Sequence, residues 1–270
     1  MRDQKTSNRE AELPATPRIG SGDWLDPKIV NADCLIEMPK MPAQSVDAII
    51  SDLPYGTTQN RWDSVIPLAP LWAEWKRLLK PNGAIVLTAC QPFTSVLVMS
   101  NLAMFKYDWC WEKTSATGHL NAKKMPMRAH ESVLVFCDGA TTYNPQKTFG
   151  HARKVSSAAH KRNCVKTECY RSHGLTGYDS TERYPRSVVK FAGDKQKSAL
   201  HPTQKPVALM RYLVRTYTNP GDVVLDVACG SGTTCLAAMI EGRQSIGIEK
   251  DEQYAKIAIN RIHEARGLGV

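Results

Sequence analysis

The sequence predicts an α/β fold in which helices cover both faces of a mainly parallel sheet. Short apolar runs alternate with stretches of helical periodicity, first from about residue 28 to 136 and again from about 199 to 265. Two of the apolar runs, residues 46–50 and 223–227, are followed at once by residues suited to binding a ligand. Open α/β folds keep their ligands at the carboxyl ends of the strands, so both runs are predicted to be strands that lead into a binding site.

The remaining elements follow in chain order. Residues 1–24 are polar, carry prolines at 14 and 17 and have no periodic apolar face, which predicts a flexible tail. Apolar residues at helical spacing, with Trp72 and Trp75 as core side chains, predict a helix that Pro81-Asn82-Gly83 would end, and strand 84–89 follows. The same patterns later predict helix 206–217, turn 219–222, strand 223–227, helix 233–241, strand 245–248 and helix 251–265.

The segment after the first of these strands has the chemistry of a nucleobase site. In Ser51-Asp52-Leu53-Pro54-Tyr55-Gly56, the Asp52 carboxylate and the Leu53 backbone carbonyl can accept hydrogen bonds from an exocyclic amino group. Pro54 stiffens the loop, and Tyr55 offers a flat face for stacking. Such a site would hold a flipped base by its NH2 group. Because Asp-x-Pro-Tyr after a strand is also a common turn, this segment alone leaves both interpretations open.

The segment after the second strand predicts a nucleoside cofactor. The sequence Ala228-Cys229-Gly230-Ser231-Gly232-Thr233-Thr234 joins a strand to a helix, where a glycine turn brings backbone N–H groups close to a ligand. It lacks the Gly-Lys-Thr/Ser ending of a nucleoside-triphosphate loop and the third glycine of a dinucleotide fingerprint. Glu249, at the tip of the next strand, can hold both hydroxyls of a ribose. A nucleoside without a pyrophosphate fits best, which favours S-adenosylmethionine.

Together the two segments resemble the amino-methylating (adenine-N6/cytosine-N4) DNA methyltransferases. The order, with Asp-Leu-Pro-Tyr far ahead of Asp226-x-x-x-Gly-Ser-Gly-Thr-Thr, is that of the permuted branch, in which the target-base motif precedes the cofactor motif. Further segments are similar to that family: 31–35, the strands at 109–113 and 130–136, and His201-Pro202-Thr203-Gln204-Lys205-Pro206. The resemblance implies a Rossmann-like methyltransferase sheet with helices on both faces and an inserted basic target-recognition region.

The resemblance also implies roles for individual residues. The catalytic residues would be Asp52, Leu53, Pro54 and Tyr55. Cofactor contacts are implied near the adenine ring, at the ribose, at the methionine end and along the glycine turn, for Asp33, Asp52, His201, Thr203, Lys205, Asp226, Ala228, Gly230, Gly232, Thr233 and Glu249. Lys205 at a helix start is equally well explained as a plain surface charge.

Two departures from the family pattern concern the two motifs. Leu53 stands where the family's first proline is usual, and Val227-Ala228 stands where Pro-Phe is usual. The first should leave the chemistry intact because the backbone carbonyl is retained, whereas the second removes an aromatic wall from the cofactor pocket. Asp52 at the first motif position favours adenine N6 as the target, and Ser51 beside it keeps cytosine N4 as an alternative.

The positive charge of the chain is concentrated in one stretch. The formal net charge is +9, and between residues 146 and 198 there are 12 Lys or Arg residues against 4 Asp or Glu. Such a stretch is suited to contacts with a phosphate backbone, so double-stranded DNA is the predicted partner. The predicted organisation is a catalytic half at 25–137, a target-recognition insertion at 138–198 and a cofactor-binding half at 199–270. The loop 57–63, with Arg61 and Trp62, is predicted to close over the substrate.

Other classes of function are disfavoured by what the sequence lacks. No apolar run has the length needed to cross a bilayer and no hydrophobic signal region is present, so we expect a cytoplasmic protein with no membrane partner. The cysteines, mostly within apolar segments, are expected to be reduced core thiols. Cys164 and Cys169 with His160 and His173 fit no common zinc spacing, so no metal is expected. A cognate restriction nuclease and the oligomeric state cannot be read from these residues.

Two further alternatives remain open from the sequence. One is a non-catalytic DNA-binding protein with a decayed methyltransferase fold, which the two departures motivate. The other is an enzyme that methylates RNA or a protein glutamine, since similar target motifs serve other amino and amide nitrogens.

Overall fold

The computed structural model describes residues 27–56, 64–157, 177–193 and 204–267. The chain divides into two compact units, a small one that includes residues 145–186 and a large one that holds most of the rest. In the described ranges, no helix is both long and apolar enough to cross a membrane. Of the six cysteines in these ranges, Cys34, Cys137, Cys229 and Cys235 are buried, as the sequence predicts, whereas Cys90 and Cys110 are partly exposed.

The described part of the large unit is built on an eight-stranded sheet. Its strands are β1 (Lys28–Asn31), β2 (Val46–Ser51), β3 (Leu79–Ala89), β4 (Phe105–Thr117), β5 (Arg128–Phe136), β8 (Val188–Phe191), β9 (Val223–Asp226) and β10 (Gln244–Glu249). The strand order is β1-β10-β9-β2-β3-β5-β4-β8. Neighbouring strands are parallel along the row β1, β10, β9, β2 and β3. Strand β5 runs antiparallel to both β3 and β4, and β8 is parallel to β4.

Helices pack on both faces of this sheet, which confirms the predicted fold class. They are α1 (Cys34–Glu37), α2 (Leu68–Leu78), α3 (Phe93–Ser100), α4 (Val207–Tyr217), α5 (Thr233–Ile240) and α6 (Glu252–Gly267). Successive residues of a strand point to opposite faces. In β2, Ile49 belongs to the core cluster that contains Trp75 of α2, and Ile50 belongs to the cluster that contains Leu213 of α4. The predicted core position of Trp72 and Trp75 is also confirmed.

The segment Pro81-Asn82-Gly83 does not end a helix, so that prediction is wrong. Helix α2 ends at Leu78, and the three residues lie inside strand β3. They form a bulge, because the pairing of β2 with β3 moves from Val46↔Leu79 to Ala48↔Ala84. A Cβ added at Gly83 would lie 2.7 Å from the Asp47 carbonyl oxygen, so the close approach requires glycine. A bulge and a turn use the same residue types, which explains the error.

The centre of the sheet is a topological switch point. Strands β9 and β2 are parallel neighbours. From β9 the chain continues through α5 to β10 on one side, and from β2 it continues through α2 to β3 on the other side. The loops that follow the two strands therefore diverge and leave a crevice at their carboxyl ends.

The small unit carries a two-stranded antiparallel ribbon within its described residues, β6 (Lys154–Ser156) paired with β7 (Tyr178–Ser180). Arg153 makes a two-pronged ion pair with Asp179, at 2.8 and 2.6 Å. Strand β8 lies inside the range predicted as the insertion but pairs with β4 in the large sheet. The loop 57–63 and the Cys164, Cys169, His160 and His173 group lie outside the described residues.

Candidate active site

A short hydrogen bond joins the two predicted motifs across the switch point. Ser51 is the last residue of β2 and Asp226 the last residue of β9, and Ser51 Oγ donates to Asp226 Oδ1 at 2.6 Å. Both side chains are buried. Two segments separated by 175 residues are thereby fixed at one edge of the sheet.

Asp52 is held by three donors from three different elements. Thr88 Oγ1, near the end of β3, and Tyr55 Oη donate to Asp52 Oδ1 at 2.5 and 2.6 Å. Lys205 Nζ, two residues before α4, donates to Asp52 Oδ2 at 2.6 Å. Because Thr88 and Lys205 are buried, the carboxylate is fixed in position without any ligand. An acceptor held in this way is suited to orienting a donor group of a substrate.

Tyr55 is bound at its hydroxyl and packed at its ring. Its ring lies 5.3 Å from the ring of Phe93, tilted by 32°, and Lys205 Nζ lies 5.3 Å from its centroid. Burial, with the neighbouring charge of Asp52, raises the pKa of Tyr55 well above its ordinary value, so the hydroxyl stays a donor. The Leu53 side chain is buried in the same core cluster that Tyr55 packs against.

A cavity of about 460 Å³ opens beside Asp52, within the range of about 300–1,000 Å³ typical of small-molecule sites. The glycine turn between β9 and α5 forms one wall. Gly230 N–H donates to Glu249 Oε2 at 2.8 Å, which ties the turn to the end of β10. Gly232 has φ +75°, and a Cβ there would lie 2.9 Å from Ala258 Cβ, so glycine is required.

Five carboxylates line the cavity, those of Asp33, Asp52, Asp226, Glu249 and Asp251. Burial raises the pKa of Asp226 to about 6, although hydrogen bonds from Ser51 and Thr234 act in the opposite direction. Burial also raises the pKa of Glu249. Asp33 is the N-cap of α1, accepting from Leu35 N–H at 3.0 Å, and its hydrogen bond from Lys250 lowers its pKa. The N-cap role of Asp33 is an addition to the role that the sequence suggests.

The donor and acceptor set of this cavity fits S-adenosylmethionine. Within the described residues, the amide oxygen and nitrogen of Gln204 are both buried without a partner, and Gln204 lines the cavity. No lysine or arginine of the described ranges pairs with Asp226. A ligand with a cationic group for Asp226, a polar group for Gln204 and hydroxyls for Glu249 would satisfy all three.

The structure brings most of the predicted site residues together. The cavity is lined by Asp33, Asp52, Leu53, Pro54, Lys205, Asp226, Ala228, Gly230, Thr233 and Glu249, among others. Tyr55 and Gly232 are not in its lining, and His201 and Thr203 lie outside the described residues. Sequence reasoning included Gln204 only as part of segment 201–206, without a role of its own. It missed Thr88 and Glu131, which lies 3.5 Å from Lys205. A hydroxyl inside the apolar run 84–89 was the available signal for Thr88.

Comparison with known proteins identifies the family. The DNA methylase (N6/N4 methyltransferase) family model matches residues 46–260. The chain is 32% identical over 256 residues to the DNA adenine methyltransferase YhdJ of Escherichia coli K12, covering 88% of this chain and 83% of that protein. The chain belongs to the N6/N4 DNA methylase family. It is therefore an S-adenosylmethionine-dependent DNA methyltransferase.

Other relatives and solved structures agree with this assignment. The type II methyltransferase M.HpaI of Haemophilus parainfluenzae is 26% identical to this methylase over 88% of this chain and 74% of its own. The crystal structure of the M1.HpyAVI–SAM complex superposes with a TM-score of 0.61 at 24% identity, covering 88% and 99% of the two chains. The cytosine-N4-specific PvuII DNA methyltransferase superposes with a TM-score of 0.63 at 14% identity, covering 89% and 91%. These two structures show the same fold.

Proposed function

We propose that this methylase transfers the methyl group to N6 of an adenine that is flipped out of duplex DNA. The observation that carries the proposal is the Asp52 carboxylate, fixed by Thr88, Tyr55 and Lys205 at the edge of the cofactor cavity. Asp52 and the Leu53 carbonyl would accept the two amino hydrogens. The name of the E. coli relative, a DNA adenine methyltransferase, supports adenine as the base.

The residues around the cavity would hold the cofactor by complementary chemistry. Asp226 would accept a hydrogen bond from a cationic group of the cofactor, and Gln204 would bind a polar group of the same part of the cofactor. Glu249 would accept hydrogen bonds from the ribose hydroxyls. Asp33, with His201 and Thr203 beyond the described residues, is a further proposed contact. When bound, S-adenosylmethionine supplies an electrophilic methyl group on a positively charged sulfur.

The protein's part in the transfer would be alignment. The amino nitrogen of adenine is a weak nucleophile because its lone pair is delocalised into the ring. Accepting both amino hydrogens favours a pyramidal nitrogen whose lone pair points towards the methyl carbon. The N–C bond forms as the C–S bond breaks, and the nitrogen then releases one of its two protons to water. Alignment of this kind can lower a barrier by roughly 7–11 kcal/mol, so no covalent intermediate with the protein is needed.

The small unit is the proposed target-recognition element. In its described part Lys154 and Arg186 are exposed, and so are the aromatic side chains of Phe149 and Tyr184, at 68% and 63%. Exposed basic and aromatic side chains together are suited to contacts with phosphates and with bases. Replacing Lys154 and Arg186 with Gln should weaken DNA binding and lower the slope of its salt dependence by about one for each phosphate that is no longer bound. An unchanged salt dependence would contradict this role.

The connection between β4 and β5 is a second proposed DNA contact, which the sequence reasoning missed. Ala89 at the end of β3 pairs with Ser132, so the segment before β5 lies at the same sheet edge as Asp52. This segment exposes Lys123 and Lys124, and Leu120 is 87% exposed. Residues 118–128 contain no Asp or Glu. A basic segment beside the site would draw a phosphate backbone towards it.

The decisive experiment labels the product. The protein is incubated with methyl-labelled S-adenosylmethionine and mixed-sequence duplex DNA, and the DNA is digested to nucleosides. Labelled N6-methyl-2′-deoxyadenosine is the expected result. Labelled N4-methyl-2′-deoxycytidine would show that the target base is cytosine and not adenine. Saturable cofactor binding without labelled DNA would contradict the DNA substrate in the sequences tested and direct the assay to single-stranded RNA and protein.

A further inference from the structure

Four side chains of alternating charge lie in sequence next to one another: Asp52, Lys205, Glu131 and Lys113. Lys205 Nζ lies 2.6 Å from Asp52 Oδ2 and 3.5 Å from Glu131 Oε2. Glu131 Oε1 in turn accepts from Lys113 Nζ at 3.0 Å. The side chains of Lys205, Glu131 and Lys113 are only 7, 17 and 12% exposed. They come from the segment before α4, from β5 and from β4, so this arrangement exists only in the folded sheet.

The buried ammonium of Lys205 lies between two carboxylates, those of Asp52 and Glu131. Desolvation alone lowers the pKa of a buried ammonium, but Asp52, Tyr55 and Glu131 together raise the pKa of Lys205 well above its ordinary value. Likewise, burial raises the pKa of Glu131, and Lys205 and Lys113 lower it overall. Lys205 is therefore a fixed cation. Without it, Asp52 would have no cation among the described residues, and Glu131 would keep only Lys113.

The hydrogen bonds of Asp52 define what Lys205 does. A carboxylate offers about four acceptor positions. In the described residues Thr88 and Tyr55 take two positions on Oδ1, and Lys205 takes one on Oδ2. One position on Oδ2 is left, and its direction follows the plane of the carboxylate, which Lys205 holds at Oδ2 and the two hydroxyls hold at Oδ1. That remaining position is where an amino hydrogen of the substrate can be accepted.

We propose that Lys205 is a positioning residue for the methyl transfer, which aims the open acceptor position of Asp52 at the target amino group, and that Glu131 holds Lys205 in place. The inference rests on the proposed function, because it assumes that Asp52 receives that amino group. It differs from the cofactor role that the sequence suggests for Lys205. A cofactor contact acts on the affinity for S-adenosylmethionine, whereas a positioning residue acts on turnover at saturation.

The test separates these roles with Lys205→Met, which keeps an unbranched side chain one heavy atom shorter and removes its charge. Calorimetry with S-adenosylmethionine gives Kd and shows that the variant is folded, and labelled transfer to duplex DNA at saturating cofactor gives kcat. We expect kcat to fall about 10- to 100-fold, the value of one hydrogen bond between charged groups, with Kd changed less than about threefold. A retained kcat with a Kd raised by the same factor would overturn the proposal.

Glu131→Gln tests the same proposal without changing Lys205. Alone it should lower kcat several-fold with Kd for S-adenosylmethionine changed less than about threefold, and an unchanged kcat would overturn the role of Glu131. Where Lys205→Met folds, adding Glu131→Gln to it should have no further effect, because the action of Glu131 passes through Lys205. Fully multiplicative losses would show that Glu131 does not act through Lys205. Lys40→Met, which breaks the exposed Lys40–Glu37 pair at 2.7 Å, is the matched control and should be unchanged.

Asp52→Asn in the same assay distinguishes a failure of the proposed function from a failure of the positioning role of Lys205. An active Asp52→Asn variant would overturn the proposed function itself. An inactive Asp52→Asn variant together with a fully active Lys205→Met variant would overturn only the positioning role.

Discussion

Asp52 follows β2 and Asp226 ends the neighbouring parallel strand β9, yet their surroundings are opposite. Asp52 has a buried ammonium on one oxygen and two hydroxyls on the other. Asp226 is 3% exposed and accepts from Ser51 Oγ and the Ala228 N–H, and burial raises its pKa to about 6. Asp52 thus has a cation and an open acceptor position, whereas Asp226 has no cation among the described residues. These surroundings support the two proposed tasks, with Asp52 orienting a neutral donor and Asp226 receiving a positively charged ligand.

The largest effect is expected on kcat, from a substitution at Asp52. Asp52→Asn keeps the shape but removes the charge opposite Lys205 and one acceptor oxygen. Losing a preorganised hydrogen-bonding group of this kind lowers kcat by about 10²–10³-fold, so transfer should be nearly abolished. The Kd for S-adenosylmethionine, measured by calorimetry, should stay within about threefold of the original. A large loss of cofactor affinity would mean that Asp52 serves the cofactor site instead.

The reciprocal substitution is Asp226→Asn. It removes the anion that a cationic ligand would pair with, and a hydrogen bond to a charged group is worth about 1.5–3 kcal/mol, so Kd for S-adenosylmethionine should rise about 10- to 100-fold. At saturating cofactor, kcat should recover to within a few-fold. If kcat stayed low at saturation with unchanged Kd, the assignment of separate tasks to the two carboxylates would be wrong.

The two site motifs could be predicted from the sequence, but the residues that hold them in place could not. Both motifs were readable because a strand, a loop and chemically suited side chains are consecutive in the chain. Thr88 and Glu131 were missed as partners because their proximity to Asp52 and Lys205 depends on strand order and register. Glu131 lies on β5, two strands away from β2, and no local pattern encodes that pairing. Pro81-Asn82-Gly83 was misassigned for a different reason, since local residue types do not distinguish a bulge from a turn.

The pH dependence of cofactor binding sharpens the comparison further. Asp226 is ionised above about pH 6 and protonated below it. A cationic ligand needs the ionised form, so Kd for S-adenosylmethionine should rise up to about tenfold for each pH unit below this value. The contribution of Asp226 to folding has the opposite sign. Because its folded pKa exceeds the ordinary 3.8, that contribution is fully present below 3.8 and is lost as the pH rises through about 6.

Calorimetry from pH 5 to 8 checks this prediction, with thermal unfolding of the ligand-free protein over the same range. Asp226→Asn is the control, and its Kd should vary much less across the window. A Kd for the unsubstituted protein that is flat from pH 5 to 8 would contradict the assignment of Asp226 to the cationic part of the cofactor.

The smallest effect is expected from removing the hydrogen bond between Ser51 and Asp226, which joins the ends of β2 and β9. Ser51→Ala removes the 2.6 Å hydrogen bond that lowers the pKa of Asp226, so this pKa should rise above 6. The pH at which cofactor binding weakens should move up by as much as about one pH unit, while Kd at pH 8 changes less than about threefold. Ser51→Thr, which keeps the hydroxyl, should hold the original midpoint. A midpoint that does not move in Ser51→Ala would show that the two strand ends are joined in structure but not coupled in binding.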